Sequence, residues 1–344
     1  MDEHVLAAVE DQEAYVVGGA VRDELLGRAV VDLDVACADP EGAARAYAEA
    51  SGGAVFPLSE RHRAWRVAFR DDRTVDFTPL PDGLEADLAS RDFTFNAIAR
   101  RVDSSELIDP HGGRADLERG LVRAVGEGVF RNDPLRLLRA VRFEDELGFR
   151  LDSKTESLVR RDAALVGRPA GERVLAELLR LSAAGYRRLD ELGVLGRLNA
   201  RAPDGEVPLD SPEFRLVWFL REQAESLPLS NQLRRYVRTL LRARPPVHLS
   251  PRAVYRFRRS TEPWAVDALV FAGGPDGALD LVREQRAAEP EAPLLRGDEL
   301  GLPEGPEVGR ILDLIAEERA VGSIQTREEA LELARREGAS PQRG

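Results

Sequence analysis

Cysteine, methionine and lysine each occur once in the 344 residues. With Cys37 alone, no intramolecular disulfide can form and no cysteine-based zinc site is available. Long apolar runs are missing too: nothing approaches the roughly 18–20 uninterrupted apolar residues of a membrane helix. The opening MDEHVLAAVEDQ is acidic where a secretory signal would be cationic and then apolar. Neither membrane insertion nor export is expected, and the chain is read as cytoplasmic. Basic residues are in deficit, 49 against 61 acidic ones, for a net charge of −12. That balance argues against nonspecific nucleic-acid binding by the surface as a whole. The deficit is uneven: between Ser226 and Thr261 there is no acid, while nine arginines run from Arg234 to Arg259. Such a segment suits phosphate contacts, but it also suits a solvated helical face in a chain whose only lysine is Lys154.

What remains is ample for folding. Hydrophobic residues at 43% and charged residues at 32% indicate packed cores, and the length favours two or three structural units. Short β-type runs stand at 15–17 (YVV), 30–36 (VVDLDVA), 64–69 (AWRVAF) and 74–80 (TVDFTPL). Beyond about residue 125 the strand signals fade and helical periodicity takes over, at 133–149, from 172 and from 214. The expected fold class is α+β, a mixed sheet with helices followed by an all-helical remainder. Prolines at 203, 208 and 212, at 245 and 246, and at 290 and 293 mark expected joints.

Tyr15 to Arg28 reads as a buried strand, a turn at Gly18-Gly19 and a helix that stops at Gly27. Paired glycines let backbone N–H groups approach a ligand at a helix N-terminus, which favours anions; Arg22 and Asp23 follow in the first turn. Neither the GxGxxG spacing nor the GKS/T ending of the common nucleotide loops is present, and a plain tight turn would look the same. In VVDLDVA, Val31, Leu33 and Val35 alternate with Asp32 and Asp34, so a strand puts both carboxylates on one face. A solvated sheet face would also carry acids. Yet Asp is disfavoured in strands, and two like charges so placed call for a partner. A pair of divalent cations supplies one, because hard oxygen ligands suit Mg²⁺ and two ions can serve a phosphoryl displacement. TVDFTPL offers a third acid, Asp76, which joins the cluster if its strand neighbours the first.

These residues resemble a known family, the class II tRNA nucleotidyltransferases, which include the CCA-adding enzymes and bacterial poly(A) polymerases. GGAVRDELLGRAVVDLDVA is similar to that family's opening motif, and the likeness continues in SRDFTFNAIA (90–99), DPHGGRADLERG (109–120), NDPLRLLRAVRF (132–143), ERVLAELL (172–179) and the C-terminal PLLRGDELGLPEGPEVGRIL. The resemblance implies a nucleotidyltransferase head domain at 1–125, a helical neck for nucleotide recognition at 126–190, and a helical body and tail for tRNA binding at 191–344. It implies template-independent addition of C and A residues to the tRNA 3′ end from CTP and ATP, with two Mg²⁺ ions. Asp32 and Asp34 would hold the metals, with Asp76 as a third catalytic acid. Gly18, Gly19, Arg22 and Asp23 would bind the nucleotide, Gly19 and Arg22 at its phosphates, Arg91 and Asp92 would contact the ribose or phosphates, and Asn96 would shape that segment.

Asp133 and Arg136 fall three apart at the expected start of a helix capped by Asn132, where an ordinary ion pair is the simple reading. The resemblance makes them a protein template for the base. An Asp accepts from the exocyclic amino group of cytosine or adenine and an Arg donates to the adjacent ring nitrogen, whereas guanine and uracil fail both contacts. Arg139 and Arg142 would flank the base or triphosphate. The sequence departs from the family where Ser90 replaces a second arginine and Asn132 a glutamate. It also has only TPLPDG before the helical LEADLAS, where members that add the full CCA have a longer loop; that shortening points to a restricted, CC-adding activity. Poly(A) polymerization and a noncatalytic RNA-binding role are the other readings. None of the four histidines precedes an aspartate, so the phosphohydrolase domain fused to some relatives is not expected.

Overall fold

The computed structural model describes residues 3–59, 63–303 and 305–338. The chain divides into two compact units, Met1–Ala202 and Pro203–Gly344.

In the first unit the strands are β1 (Ala14–Val17), β2 (Asp32–Cys37), β3 (Ala54–Ser59), β4 (Ala64–Ala68), β5 (Thr74–Pro79), β6 (Ala99–Arg101), β7 (Leu107–Ile108), β8 (Leu121–Val122) and β9 (Arg150–Leu151). Seven of them form a mixed sheet in the order β3-β4-β5-β2-β1-β6-β7, and β8 pairs with β9. Only β2 and β5 run parallel within the large sheet. Their crossover contains the helix Pro40–Ser51, which starts on an Asp39 side-chain cap with Pro40 in its first turn and stops at Gly52 with φ +75°. It buries Pro40, Ala43, Ala44, Tyr47 and Ala48, the stripe expected of a helix lying on a sheet. Tyr47 meets Phe77 of β5 at 5.8 Å between ring centroids.

Register assigns the two faces. Val35 pairs with Phe77, so both lie on the side of that helix, and Asp34 pairs with Asp76 on the opposite side. On this second side Tyr15, Val17, Ala36 and Ala99 pack with Leu88 of the helix Leu84–Ser90. The expected apolar set of β2 needs one correction: the strand begins at Asp32, and Val31 lies before it, 53% exposed, rather than in the core.

The helix Arg136–Leu147 buries Leu137, Leu138, Ala140, Val141, Arg142 and Phe143. Phe143 ties it to the segment leading into β6, its ring edge-on to Phe93 (5.6 Å) and Phe95 (5.2 Å). The second unit is helical. Its helices Pro212–Leu220 and Pro251–Thr261 begin on Ser-Pro pairs whose hydroxyls cap the first turn. Phe214, Trp218 and Phe271 form one aromatic cluster, and Leu295, Ile311, Ile315, Ala330 and Leu333 form another core between the last two helices. Among the described residues no helix is long and apolar enough to cross a membrane.

Candidate active site

The glycine turn is where β1 hands over to the helix Gly19–Leu25. Gly18 has φ +74° and ψ −135°, which favours glycine, and space demands it as well. A Cβ there would stand 2.8 Å from Arg91 Nη1 and 3.3 Å from Asp34 Oδ2. The backbone at Gly18 therefore lies directly against the second acid of β2. The bland reading of the paired acids as a solvated face fails for Asp34. Burial pushes its carboxyl above the ordinary value; the Arg91 charge opposes this, while Asp76 and Asp32 reinforce it. Asp32 remains exposed and accepts a hydrogen bond from Thr74 Oγ1 at 2.7 Å.

Asp76 reaches the expected position beside Asp34, and there it has a partner of its own. The β4–β5 register sets Arg66 opposite it, and the guanidinium forks onto both carboxylate oxygens at 2.7 Å each. Asp76 is thus engaged by an arginine before any ligand arrives. Among the described residues no group of three acid, histidine or cysteine side chains stands ready to hold a metal by itself. Two carboxylates suffice for a hard cation of the magnesium type, which keeps waters and takes its remaining oxygens from phosphates rather than from an all-protein cage. The donor chemistry of Asp32 and Asp34 fits such an ion.

From the acids a chain of contacts leads to the helices. Asp92 is 4% exposed, and it accepts from Phe93 N (2.8 Å), Asn96 Nδ2 (2.9 Å), Arg139 Nε (2.8 Å) and Arg139 Nη2 (2.6 Å). Burial alone would raise its pKa; the Arg139 charge and these hydrogen bonds hold it below the ordinary carboxylate value instead. Asn96 in turn accepts from Arg22 Nη1 (2.8 Å), and Arg22 forks onto Asp23 (3.0 and 2.7 Å). Arg91 is held by Asp87 at 2.8 Å.

All of this borders a cavity of about 600 Å³ lined by Gly18, Gly19, Asp32, Asp34 and, from the helices Arg136–Leu147 and Gly171–Arg180, five arginines: Arg136, Arg139, Arg142, Arg173 and Arg180. Carboxylates and guanidinium groups line it together, a donor set suited to a cation-bound polyphosphate.

The comparisons with known proteins agree with that chemistry. Residues 14–81 and 61–123 match the poly A polymerase head domain. The A-adding tRNA nucleotidyltransferase of Deinococcus radiodurans is 34% identical across 94% of this chain and 95% of its own length. The chain belongs to the tRNA nucleotidyltransferase family. The CC-adding tRNA nucleotidyltransferase of Thermus thermophilus is 32% identical, over 93% of this chain and 92% of its own length. A solved CCA-adding enzyme of Bacillus stearothermophilus, in complex with CTP, superposes with a TM-score of 0.71 at 26% identity, with 97% of each chain covered.

In this nucleotidyltransferase Asp133 and Arg136 are arranged differently from the expected capped helix start. Asn132 ends the short helix Val129–Asn132, and Asp133 follows it in extended geometry. Just ahead of the helix Arg136–Leu147, Asp133 Oδ1 accepts from Leu135 N at 3.1 Å, while Arg173 binds its Oδ2 at 2.8 Å. Arg136 does not pair with Asp133 but donates to the carbonyls of Ser90 (2.7 Å) and Arg91 (3.3 Å). Both side chains line the cavity. Arg142 also borders it, and its buried guanidinium is held by Glu177 (2.6 Å) and Glu146 (2.7 Å). Sequence reasoning missed Phe143, whose ring gathers the guanidinium groups of Arg22, Arg139 and Arg142 within 5.3 Å of its centroid. It also missed Arg173 as the partner of Asp133. Both lie inside quoted motifs, but nothing local marks them.

The basic segment lies wholly in the second unit. Its second half is answered by acids of the same unit: Arg252 by Glu317 and Glu318, Arg256 by Glu317, Arg258 by Glu289 and Arg259 by Asp313. The first half keeps Arg235 and Arg242 exposed on the helix Asn231–Arg242, with Arg238 paired to Glu225.

Proposed function

We propose that this enzyme extends the 3′ end of tRNA with C and A residues drawn from CTP and ATP, in the cytoplasm and without a nucleic-acid template. The reading is carried by one observation: Asp34 of β2 lies against a glycine turn, Asp32 follows on the same face of the strand, and both line a cavity that also presents Asp133 and Arg136. Asp32 and Asp34 would hold two magnesium ions. Bound there, such ions supply the Lewis acidity that lowers the pKa of the RNA 3′ hydroxyl and stabilises the departing pyrophosphate. Attack of that hydroxyl oxygen on the α-phosphorus makes the new phosphodiester and breaks the bond to the β-phosphate, so pyrophosphate leaves. Arg22, Arg91 and Arg139 are placed to counter triphosphate charge, and the backbone at Gly18 and Gly19 gives it close approach.

Asp133 and Arg136 read the base. Asp133 retains lone pairs for an exocyclic amino group after its bonds to Leu135 and Arg173, and Arg136 exchanges a main-chain carbonyl for a ring nitrogen. A base that offers a carbonyl and a ring N–H there leaves both groups unpaired, which is costly in a closed site.

A narrower reading, CC addition only, rests on the connection after β5: residues 80–83 alone separate it from the helix Leu84–Ser90. Overall likeness does not divide these readings, since the A-adding and CC-adding relatives stand at 34% and 32% identity. Incubation of tRNA lacking its 3′ end with CTP, and of tRNA ending in CC with ATP, separates them by the products formed. Asp32→Ala is expected to lose incorporation of either nucleotide by more than about 10³-fold while tRNA affinity stays within twofold. Unchanged incorporation would overturn the assignment. Neither substrate being extended by the unaltered enzyme would do the same.

A further inference from the structure

Asp34, Asp76 and Arg66 stand in a row across neighbouring strands. Asp34 of β2 is level with Asp76 of β5, and Asp76 is level with Arg66 of β4. They share one face of the sheet, because the residues that alternate with them point the other way: Trp65 lies under Arg45 of the helix Pro40–Ser51 at 5.0 Å, and Phe77 meets Tyr47 of the same helix. Carboxylates at adjacent register positions repel, and the acids of this face meet that repulsion unequally. Asp76 accepts guanidinium N–H groups on both oxygens, Asp32 accepts one hydroxyl, and among the described residues no hydrogen bond reaches Asp34. Arg66 binds no other acid among the described residues. The catalytic cavity is lined by Asp32 and Asp34 but by neither Asp76 nor Arg66, so the ion pair stands behind the two open acids.

The fork onto both oxygens is among the strongest pairings a carboxylate makes with a side chain. A dication approaching Asp34 therefore finds Asp76 already taken, and it meets the like charge of Arg66 close behind. Ions of the magnesium type dehydrate reluctantly, and with two carboxylates they depend on phosphate oxygens to complete their shell. A nucleoside triphosphate brings both the oxygens and the negative charge that the site lacks while Arg66 holds Asp76.

We propose that Arg66 is a positioning residue that keeps Asp76 out of the cation's shell and so makes metal loading wait for the nucleoside triphosphate. The proposal rests on the reading of Asp32 and Asp34 as the metal holders. With Arg66 removed, Asp76 is free to join them, and the acids of this face bind a dication by themselves.

The test is titration of the full chain with Mn²⁺, a paramagnetic stand-in for Mg²⁺, without nucleotide, followed by the electron paramagnetic resonance of the free ion. Arg66→Gln is expected to tighten Mn²⁺ binding at least about tenfold, since a like charge is lost and a ligand gained. Arg66→Lys keeps the charge and loses the fork; its expected gain of about threefold keeps the comparison open should the glutamine variant not fold. In an Asp76→Asn background the gain from Arg66→Gln should shrink below about threefold, because the ligand to be freed is gone. Linkage gives a second readout: the factor by which Mn²⁺ tightens CTP binding in calorimetry should be about tenfold smaller in Arg66→Gln than in the parent. Mn²⁺ binding that ignores the Arg66 variants overturns the proposal. An equal gain with and without Asp76 does so too, since Arg66 would then be a remote charge only, as does an undiminished linkage factor. Failure of the metal reading shows separately, as Mn²⁺ binding that Asp32→Ala and Asp34→Ala leave untouched.

Discussion

Gly18 serves two constraints at once, since its backbone takes a left-handed φ and the space of a side chain is taken by Arg91 and Asp34. Gly18→Ala is therefore expected to cost about 1–3 kcal/mol in urea unfolding. Its effect on kcat for CTP incorporation should be larger, at least about 100-fold, because relief of the clash moves Asp34. A stability loss with kcat intact would show that the turn is only structural. Asp92 offers a pH test. Its carboxyl titrates lower in the folded chain than in the unfolded one, so the stability it contributes is complete above roughly pH 4, the ordinary carboxylate value, and drains away as pH falls through the lower folded value. Asp92→Asn leaves Arg139 without its closest counter-charge. With that arginine 31% exposed, the expected loss at pH 7 is about 2–3 kcal/mol, below the 3–5 of a fully buried pair. The variant should also show a shallower acid limb in its unfolding profile from pH 7 to 2. An acid limb identical to the parent's would remove Asp92 from the account.

Among the elements, the helix Pro251–Thr261 shows why a run of arginines is a poor guide to a binding surface: four of its cations face acids from the helices and turns that follow it. Replacing Glu317 and Glu318 by Gln should lower the melting stability by at most about 1 kcal/mol, as for other partly exposed pairs. It should nonetheless raise RNA affinity several-fold at low salt and steepen its salt dependence, since freed arginines displace counterions from phosphates. Unaltered filter-binding curves would show that this helix never meets RNA. Pairing across 31 to 66 residues leaves no local pattern, which is why the sequence shows the arginines and not their partners. The strands β1, β2, β4 and β5 were legible because alternation or an apolar run of four or more residues survives in them. β7, β8 and β9 have two residues each and carry no period. The carboxylate pair and the glycine turn could likewise be read directly. The capture of Asp76 by Arg66 could not, because it follows from a strand register fixed only by the whole sheet. The place of Asp133 was also hidden, since the helix expected across 133–149 begins only at Arg136 and Asp133 stands before it in extended geometry, bonded to Leu135 N.

At the scale of the whole molecule, two units with separate cores should melt as two overlapping transitions in calorimetry. CTP at about 100 times its dissociation constant should stabilise only the unit that holds the catalytic cavity, by about 2.7 kcal/mol. A single transition shifted as a block would mean that the two units unfold together. The lone thiol adds something to this picture. Cys37 ends the strand that carries Asp32 and Asp34; it is fully enclosed, and burial, reinforced by the Asp39 charge, pushes it up to about 12. Peroxides and electrophiles thus pass the folded molecule by, and an alkylating label can mark it only during excursions in which that strand parts from its neighbours. The chain carries a built-in gauge of how often its reaction centre breathes.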